Sequence, residues 1–91
     1  MNVHLIWFGQ LRAVAGVGGE TVEVDAGATV ASVLSAVAED RGRALGRLLM
    51  DGESVAPTLL VSLDDVQVTD PSRTVLPDGG QLVVMAPMSG G

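Results

Sequence analysis

Residues 29–41, TVASVLSAVAEDR, have the pattern of the helix around which the rest of the chain is arranged. Their apolar residues recur at the i, i+3, i+4, i+7 spacing that forms one stripe along a helix. These residues are Val30, Val33, Leu34 and Val37. Thr29 stands at the N-cap position, and Gly42 follows as a helix-ending residue. We therefore predict one main helix that buries a single face.

The segments on both sides of this helix have the composition of strands. Residues 3–8, VHLIWF, form a dense apolar run that predicts a central strand covered on both faces or lying close to a helix stacked at its end. Residues 20–25 alternate polar with apolar or β-branched side chains, which predicts a half-buried strand antiparallel to the first. After the helix, strands are predicted at residues 58–63, 66–68 and 81–85.

The connections contain shorter elements. Residues 9–16 and 43–50 each have enough helical periodicity for one or two turns of helix. Asp51-Gly52 is a strong turn signal, and residues 53–57 are expected to be irregular. Asp64-Asp65 is expected to be the tip of a hairpin.

The order of these elements defines a fold class. A right-handed crossover through the main helix would place the last strand beside the first. We therefore predict an α+β fold, a mixed sheet of four or five strands packed on one main helix. We assign residues 1–86 to this domain and residues 87–91 to a flexible C-terminal tail.

Composition excludes several classes of function. The chain of 91 residues has the length of one domain and contains no cysteine, so it has no thiol nucleophile and no thiolate metal ligand. Its net charge of −6 argues against nucleic-acid binding and favours a basic protein partner or simple solubility. The sequence has no signal peptide or membrane-span pattern, so a cytoplasmic location is expected.

The candidate catalytic and metal-binding residues are few. His4 is the only histidine, and no acid, serine or cysteine stands near it at a telling spacing. Asp64 and Asp65 alone make a poor cation site, so no metal is expected. The loop Val17-Gly18-Gly19 lacks the pattern and the Lys-Ser/Thr pair of a phosphate-binding loop.

The end of the sequence is the strongest candidate site. After the last strand the chain reads Pro87-Met88-Ser89-Gly90-Gly91, and Pro87 favours an extended exit from the strand. Gly90 and Gly91 have no Cβ and fit a slot too narrow for other residues. Five extended residues reach about 17 Å at most, enough to enter another protein's active site. The alternative is an ordinary frayed terminus.

Two segments resemble the ubiquitin-like β-grasp sulfur carriers, which include the molybdopterin synthase small subunit and the thiazole-synthesis carrier. The first segment is residues 3–16, VHLIWFGQLRAVAG, and the second is residues 76–91, LPDGGQLVVMAPMSGG. The second is the more specific, because an Asp-Gly turn, an apolar strand, a proline and a terminal Gly-Gly occur together in that family. The first looks most like the molybdopterin synthase small subunit.

The resemblance implies a chemistry for the tail. An ATP-dependent, E1-like adenylating enzyme would activate the Gly91 carboxylate, and a sulfur donor would convert it to a thiocarboxylate. Pro87, Met88, Ser89 and Gly90 would carry Gly91 into the active site of a larger catalytic subunit. The chain would bind no cofactor, since the adenylating enzyme uses the ATP. It would also be no enzyme on its own, since it acts with a catalytic partner.

Several alternatives remain open at this point. The sulfur acceptor is molybdopterin in the closest resemblance, but thiazole, cysteine or a secondary metabolite fits the same tail. A ubiquitin-like protein modifier shares the activation step and would join Gly91 to lysines of target proteins. A β-grasp interaction domain with incidental terminal glycines is the third possibility.

Overall fold

A computed structural model describes residues 1–87 of the protein. The strands are β1 (Asn2–Gly9), β2 (Gly19–Glu23), β3 (Met50–Asp51), β4 (Ser54–Val55), β5 (Leu60–Leu63), β6 (Val66–Gln67) and β7 (Gln81–Ala86). The helices are α1 (Gln10–Ala15), α2 (Val30–Arg41) and α3 (Arg43–Leu49). The predictions for Met88, Ser89, Gly90 and Gly91 lie outside the described residues.

The main sheet has five strands in the order β2-β1-β7-β5-β6. β1 and β7 run parallel and pair from His4 with Gln81 to Gly9 with Ala86, whereas β2 and β5 are antiparallel to their neighbours. The last strand therefore lies beside the first, as the crossover predicted. The predicted mixed sheet on one main helix is confirmed.

The helix α2 forms as its sequence predicts. Thr29 caps it: its hydroxyl oxygen accepts from the Ser32 amide at 3.1 Å, and the Ser32 hydroxyl accepts from the Thr29 amide at 2.9 Å. Gly42 ends the helix with a φ of 98°, a backbone conformation that a side chain would strain. All four residues of the predicted stripe are buried.

One hydrophobic core lies between α2, α3 and the inner face of the sheet. Alternate residues of β1 point into it, and Leu5 and Trp7 are at most 1% exposed. The full set of buried residues is Val3, Leu5, Trp7, Leu11, Val30, Val33, Leu34, Val37, Leu45, Leu49, Val61, Leu76, Leu82, Val84 and Ala86.

The prediction that both faces of β1 are covered was wrong. The opposite face of the strand carries His4, Ile6 and Phe8, and Phe8 is 45% exposed. An apolar run indicates that a strand is central in its sheet, but it does not show what covers the second face. Here α2 and α3 pack on one side only, within the described residues.

The later strands also differ from the predictions in detail. Residues 50–55, expected to contain an irregular stretch, form the small β3–β4 hairpin around the predicted Asp51-Gly52 turn. The strand predicted from residue 58 begins at Leu60, and β7 continues to Ala86. The hairpin tip at Asp64-Asp65 is confirmed, with φ values of 48° and 70°. No helix in residues 1–87 is long and apolar enough to span a membrane.

A polar network joins the edge of the sheet to the helices. The indole Nε1–H of Trp7 donates to Glu20 Oε2 at 2.8 Å, and Arg41 forms an ion pair with the same carboxylate. Arg41 also donates to the backbone oxygen of Ala15 at 3.0 Å. One carboxylate thus satisfies a buried indole on β1 and a guanidinium at the end of α2.

We expect Glu20→Ala to lower the free energy of unfolding by about 1–3 kcal/mol, because it leaves the Trp7 N–H without an acceptor. Denaturant unfolding followed by the fluorescence of this single tryptophan measures the change. Glu23→Ala is the matched control, since Glu23 lies exposed on the same strand and forms no ion pair within residues 1–87. Equal losses in the two variants would contradict the role of the network.

Candidate functional site

The candidate site begins where β7 ends. β7 pairs with β1 on one side and β5 on the other, and Leu82 and Val84 are fully buried. Ala86 is the last strand residue and is 8% exposed, whereas Pro87 lies outside the strand and is exposed. A strand that is paired with β1 and β5 and packed in the core therefore immediately precedes Pro87 and residues 88–91 in the chain.

Gly9 fixes the geometry at this point. It pairs with Ala86 and turns the chain from β1 into α1 with a φ of 61°. A Cβ at Gly9 would stand 3.5 Å from the Ala86 oxygen, and the positive φ would strain any residue with a side chain. α1 packs against β7 and anchors itself through Leu11, which is fully buried. The end of β7 thus has a defined position relative to the domain.

An apolar surface adjoins this exit on the side of the sheet away from α2. We call it the outer face, and it consists of Ile6, Phe8, Leu60, Val83 and Met85. The register places Phe8, Met85 and Leu60 side by side on three neighbouring strands. Their exposed fractions are 45%, 38% and 50%, large values for apolar side chains that touch one another on a sheet. Contiguous exposed apolar surface of this kind marks interaction sites.

Phe8 and Leu60 were not recognised as part of an exposed face at the level of sequence. The signal was present in the apolar run of residues 3–8, whose second face had to be covered by something. No helix or strand within residues 1–87 covers it.

The other candidate residues have structural roles. His4 lies exposed on the sheet, and its Nδ1 is 2.9 Å from the hydroxyl of Thr21. The carboxylate of Asp64 accepts from the Gln81 amide at 2.9 Å and ties the β5–β6 turn to the start of β7. Within residues 1–87 no three His, Asp or Glu side chains are grouped so that they could hold a metal ion.

Of the predicted tail residues, only Pro87 lies in the described part of the chain. It is exposed and follows the last strand, as expected for the first residue of a tail. Met88, Ser89, Gly90 and Gly91 lie outside the described residues, so their roles stay predictions. The structure brings the outer face, Gly9 and the exit at Pro87 together at one end of the sheet.

The mixed five-stranded sheet packed on one main helix, with parallel first and last strands, is the ubiquitin-like β-grasp fold. The model of the ThiS family matches residues 5–91, and the chain belongs to this family. No curated protein matches the chain at a significant level.

Solved structures agree with this assignment. The HVO 2177 protein of Haloferax volcanii is 30% identical, with a TM-score of 0.84 over 100% of this chain and 87% of that one. SAMP1 of the same organism, a small archaeal modifier protein, is 24% identical, with a TM-score of 0.83 over 100% of both chains.

A third solved structure contains a partner. It is a complex of subunits 1 and 2 of the molybdopterin-converting factor from Helicobacter pylori. The matching chain is 18% identical, with a TM-score of 0.65 over 100% of both chains. At this identity the likeness shows the shared fold.

Proposed function

We propose that the protein is a sulfur carrier that delivers sulfur from a thiocarboxylate at Gly91 to a precursor held by a larger catalytic subunit. The observation that carries this proposal is the continuity of the buried central strand β7 with the exposed Pro87 and the Gly-Gly sequence beyond it. Membership in the ThiS family and the sulfur-carrier resemblance of residues 76–91 support it.

The proposed chemistry begins with activation of the carboxylate. A carboxylate is a poor electrophile, because its oxygen leaves as a strongly basic species. The partner's ATP would be attacked at its α-phosphorus by a Gly91 carboxylate oxygen, forming a mixed anhydride with AMP and releasing pyrophosphate. Attack on the carbonyl carbon by a hydrosulfide ion released from the sulfur donor would then expel AMP and form the thiocarboxylate.

The chain itself would contribute position rather than catalysis. Residues 1–87 present no cysteine and no metal-ligand cluster. The strand β7 is held between two neighbours, so it would fix the base of a tail that reaches about 17 Å when extended. The adenylating enzyme, the sulfur donor and the larger catalytic subunit would supply every reacting group other than the Gly91 carboxylate.

The outer face is the proposed contact for these partners. It reaches the end of β7, so a protein that covers Phe8, Leu60 and Met85 would have the entrance to its active site next to Pro87. Successive partners would bind one at a time, because each requires the same tail. This sequential use explains why the face is apolar yet left open by the fold.

The proposed sulfur acceptor is the pterin precursor of molybdopterin. The first segment resembles the molybdopterin synthase small subunit, and the fold is shared with a chain of the complex of subunits 1 and 2 of the molybdopterin-converting factor from Helicobacter pylori. The test is to mix the thiocarboxylated chain with the large subunit of molybdopterin synthase and the pterin precursor. Formation of the dithiolene product supports molybdopterin; a stable complex without product, or no complex, assigns the carrier to another acceptor such as thiazole, cysteine or a secondary metabolite.

A protein modifier is the second candidate, favoured by the likeness to SAMP1. It uses the same activated Gly91, so activation does not separate the two. Conjugation would give lysine-linked adducts that survive reducing denaturation. The chain contains no lysine and so cannot be extended into lysine-linked polymers of itself, and any adducts would be to other proteins. Such adducts in cells expressing a tagged chain would favour the modifier.

A further inference from the structure

The two ends of the sheet differ in charge. Because β1 and β7 are parallel, both begin at one end, which we call the far end, and both finish at the other, the tail end. The far end contains Asn2, Gln81 and the start of α2. The tail end contains Gly9, Ala86 and α1, which packs against β7 and α3.

Acidic residues gather at the far end. Asp78 and Asp64 accept from the amides of Asn2 and Gln81, the first residues of β1 and β7, at 3.0 Å and 2.9 Å. Other acids lie beside the start of α2 or in the turns that meet it. The far-end acids are Glu23, Asp25, Asp51, Glu53, Asp64, Asp65, Asp70 and Asp78. The arginine at this end, Arg73, pairs with Asp70.

Arginines gather at the tail end. Arg12 lies on α1, Arg41 ends α2 and bonds to Ala15 at the end of α1, and Arg43 and Arg47 lie on α3. The acids here are Glu20, which is paired with Arg41, and Glu39 and Asp40 in the last turn of α2. Four arginines thus stand against three acids at this end and one against eight at the other, which accounts for the net charge of −6.

Arg12 lies three residues after Gly9, which pairs with Ala86 at the exit of the tail. Its Nε lies over the backbone of Gly18, 3.3 Å from where a Cβ would stand, and the residue is exposed. Gly9, Arg12 and Gly18 line an open groove of about 500 Å³, which begins beside the pair Gly9–Ala86. Arg12, Arg43 and Arg47 form no ion pair within residues 1–87.

We infer that the adenylating enzyme's surface around the entrance for the tail is acidic and that charge orients the protein tail first. This inference rests on the proposed function. Arg12 and Arg43 face the partner at the tail end, where their planar guanidinium groups bind carboxylates well. The acidic residues of the far end would lie on the side of the molecule opposite the contact. An acidic entrance would attract the arginines and repel the far end, so encounters in the wrong orientation would be suppressed.

The placement of charge reverses the expectation from composition. A net charge of −6 favours a basic partner if the charge is spread evenly. The acids that produce it lie at the end opposite the tail, so a basic entrance would attract the wrong end of the molecule. Phe8 of the outer face precedes Gly9, and Gly9 lines one groove with Arg12, so an apolar patch and a cation lie on either side of Gly9 at the tail end.

Charge reversal at each end tests the inference. The probe is the adenylating enzyme that catalyses ATP–pyrophosphate exchange with the wild-type chain, and its association rate constant is measured by stopped flow. Arg12→Glu is expected to lower this constant about three- to tenfold at low ionic strength, with the difference vanishing at high salt. Arg12→Lys retains the charge and is expected to stay close to wild type.

Arg73→Glu is the matched control, because the same change is made at the far end on a side chain that is 87% exposed. It is expected to leave the rate constant unchanged or raise it slightly. Equal slowing by Arg12→Glu and Arg73→Glu, or faster binding of Arg12→Glu, overturns the inference. Failure of the proposed function is distinguishable, since a wild-type chain that supports no exchange with any adenylating enzyme refutes that function itself.

Discussion

A chain lacking Gly91 is expected to form no thiocarboxylate and to support no sulfur transfer. The deletion leaves a carboxylate on Gly90, one residue short of the position at which the activating enzyme holds its ATP. Each residue advances an extended chain by about 3.3–3.6 Å, so the deletion withdraws the carboxylate by that distance. A misplacement of about 1 Å is already enough to slow a reaction about 100-fold. The loss is therefore expected to be complete, measured as ATP–pyrophosphate exchange with the purified adenylating enzyme.

Two comparisons make this result specific. A chain extended by one alanine after Gly91 is expected to be equally inactive, because it moves the carboxylate past the reacting position. Both variants are expected to unfold at the wild-type denaturant concentration, since neither changes a residue of the buried core within residues 1–87. Exchange at the wild-type rate by either variant would contradict the assignment of Gly91 and favour a domain with incidental terminal glycines.

Leu60→Asp is expected to weaken the complex with the adenylating enzyme about 30-fold or more. Leu60 is 50% exposed beside Met85 on the outer face, and a carboxylate there would be desolvated by any apolar partner surface. Loss of a central interface residue commonly costs about 2 kcal/mol or more, which is the basis of this factor. Isothermal titration calorimetry gives the dissociation constant, and Phe8→Asp is expected to act in the same direction.

Val75→Asp is the control for this experiment. Val75 is 57% exposed, so this substitution also replaces an exposed apolar side chain with a carboxylate. Val75 pairs with Thr29 at the far end, away from the proposed interface. We expect its dissociation constant to match that of wild type. Circular dichroism shows whether each variant is folded. A folded Leu60→Asp chain that binds as tightly as wild type would remove the outer face from the interface.

Much of the fold could be predicted because local and long-range signals agreed. The stripe from Val30 to Val37 lies between a potential cap at Thr29 and a glycine at residue 42, so the bounds of α2 were defined on both sides. The pairing of β7 with β1 followed from the handedness of crossovers, which does not depend on individual side chains.

The errors have physical causes. The β3–β4 hairpin has only two residues in each strand, too few to show a period in the sequence, and its backbone pairing depends on neighbours such as Ala56, whose amide bonds to Leu49. The exposed face of β1 was misassigned because an apolar side chain is compatible with a core or with an interface. Only the position of the helices distinguishes the two.

One part of the candidate site could be proposed from the sequence, and the other part depends on the topology of the sheet. The tail could be proposed from composition, since Pro87 and the two terminal glycines lie together in sequence, and its role stays a prediction. The outer face could not, because Phe8, Leu60 and Met85 come from three strands whose register is set by the whole sheet. The separation of charge between the two ends also depends on topology, because residues distant in sequence, such as Asp25 and Asp78, meet at one end.

Intact-mass spectrometry of the purified protein tests the central claim most directly. The chain is produced in cells that contain its adenylating enzyme and sulfur donor, and it is measured with and without a thiocarboxylate-specific reagent. We predict a species heavier than the unmodified chain by the difference between sulfur and oxygen, located at Gly91 and absent from the chain that lacks this residue. A single unmodified mass under these conditions, or a heavier species that persists without Gly91, would contradict the proposed function.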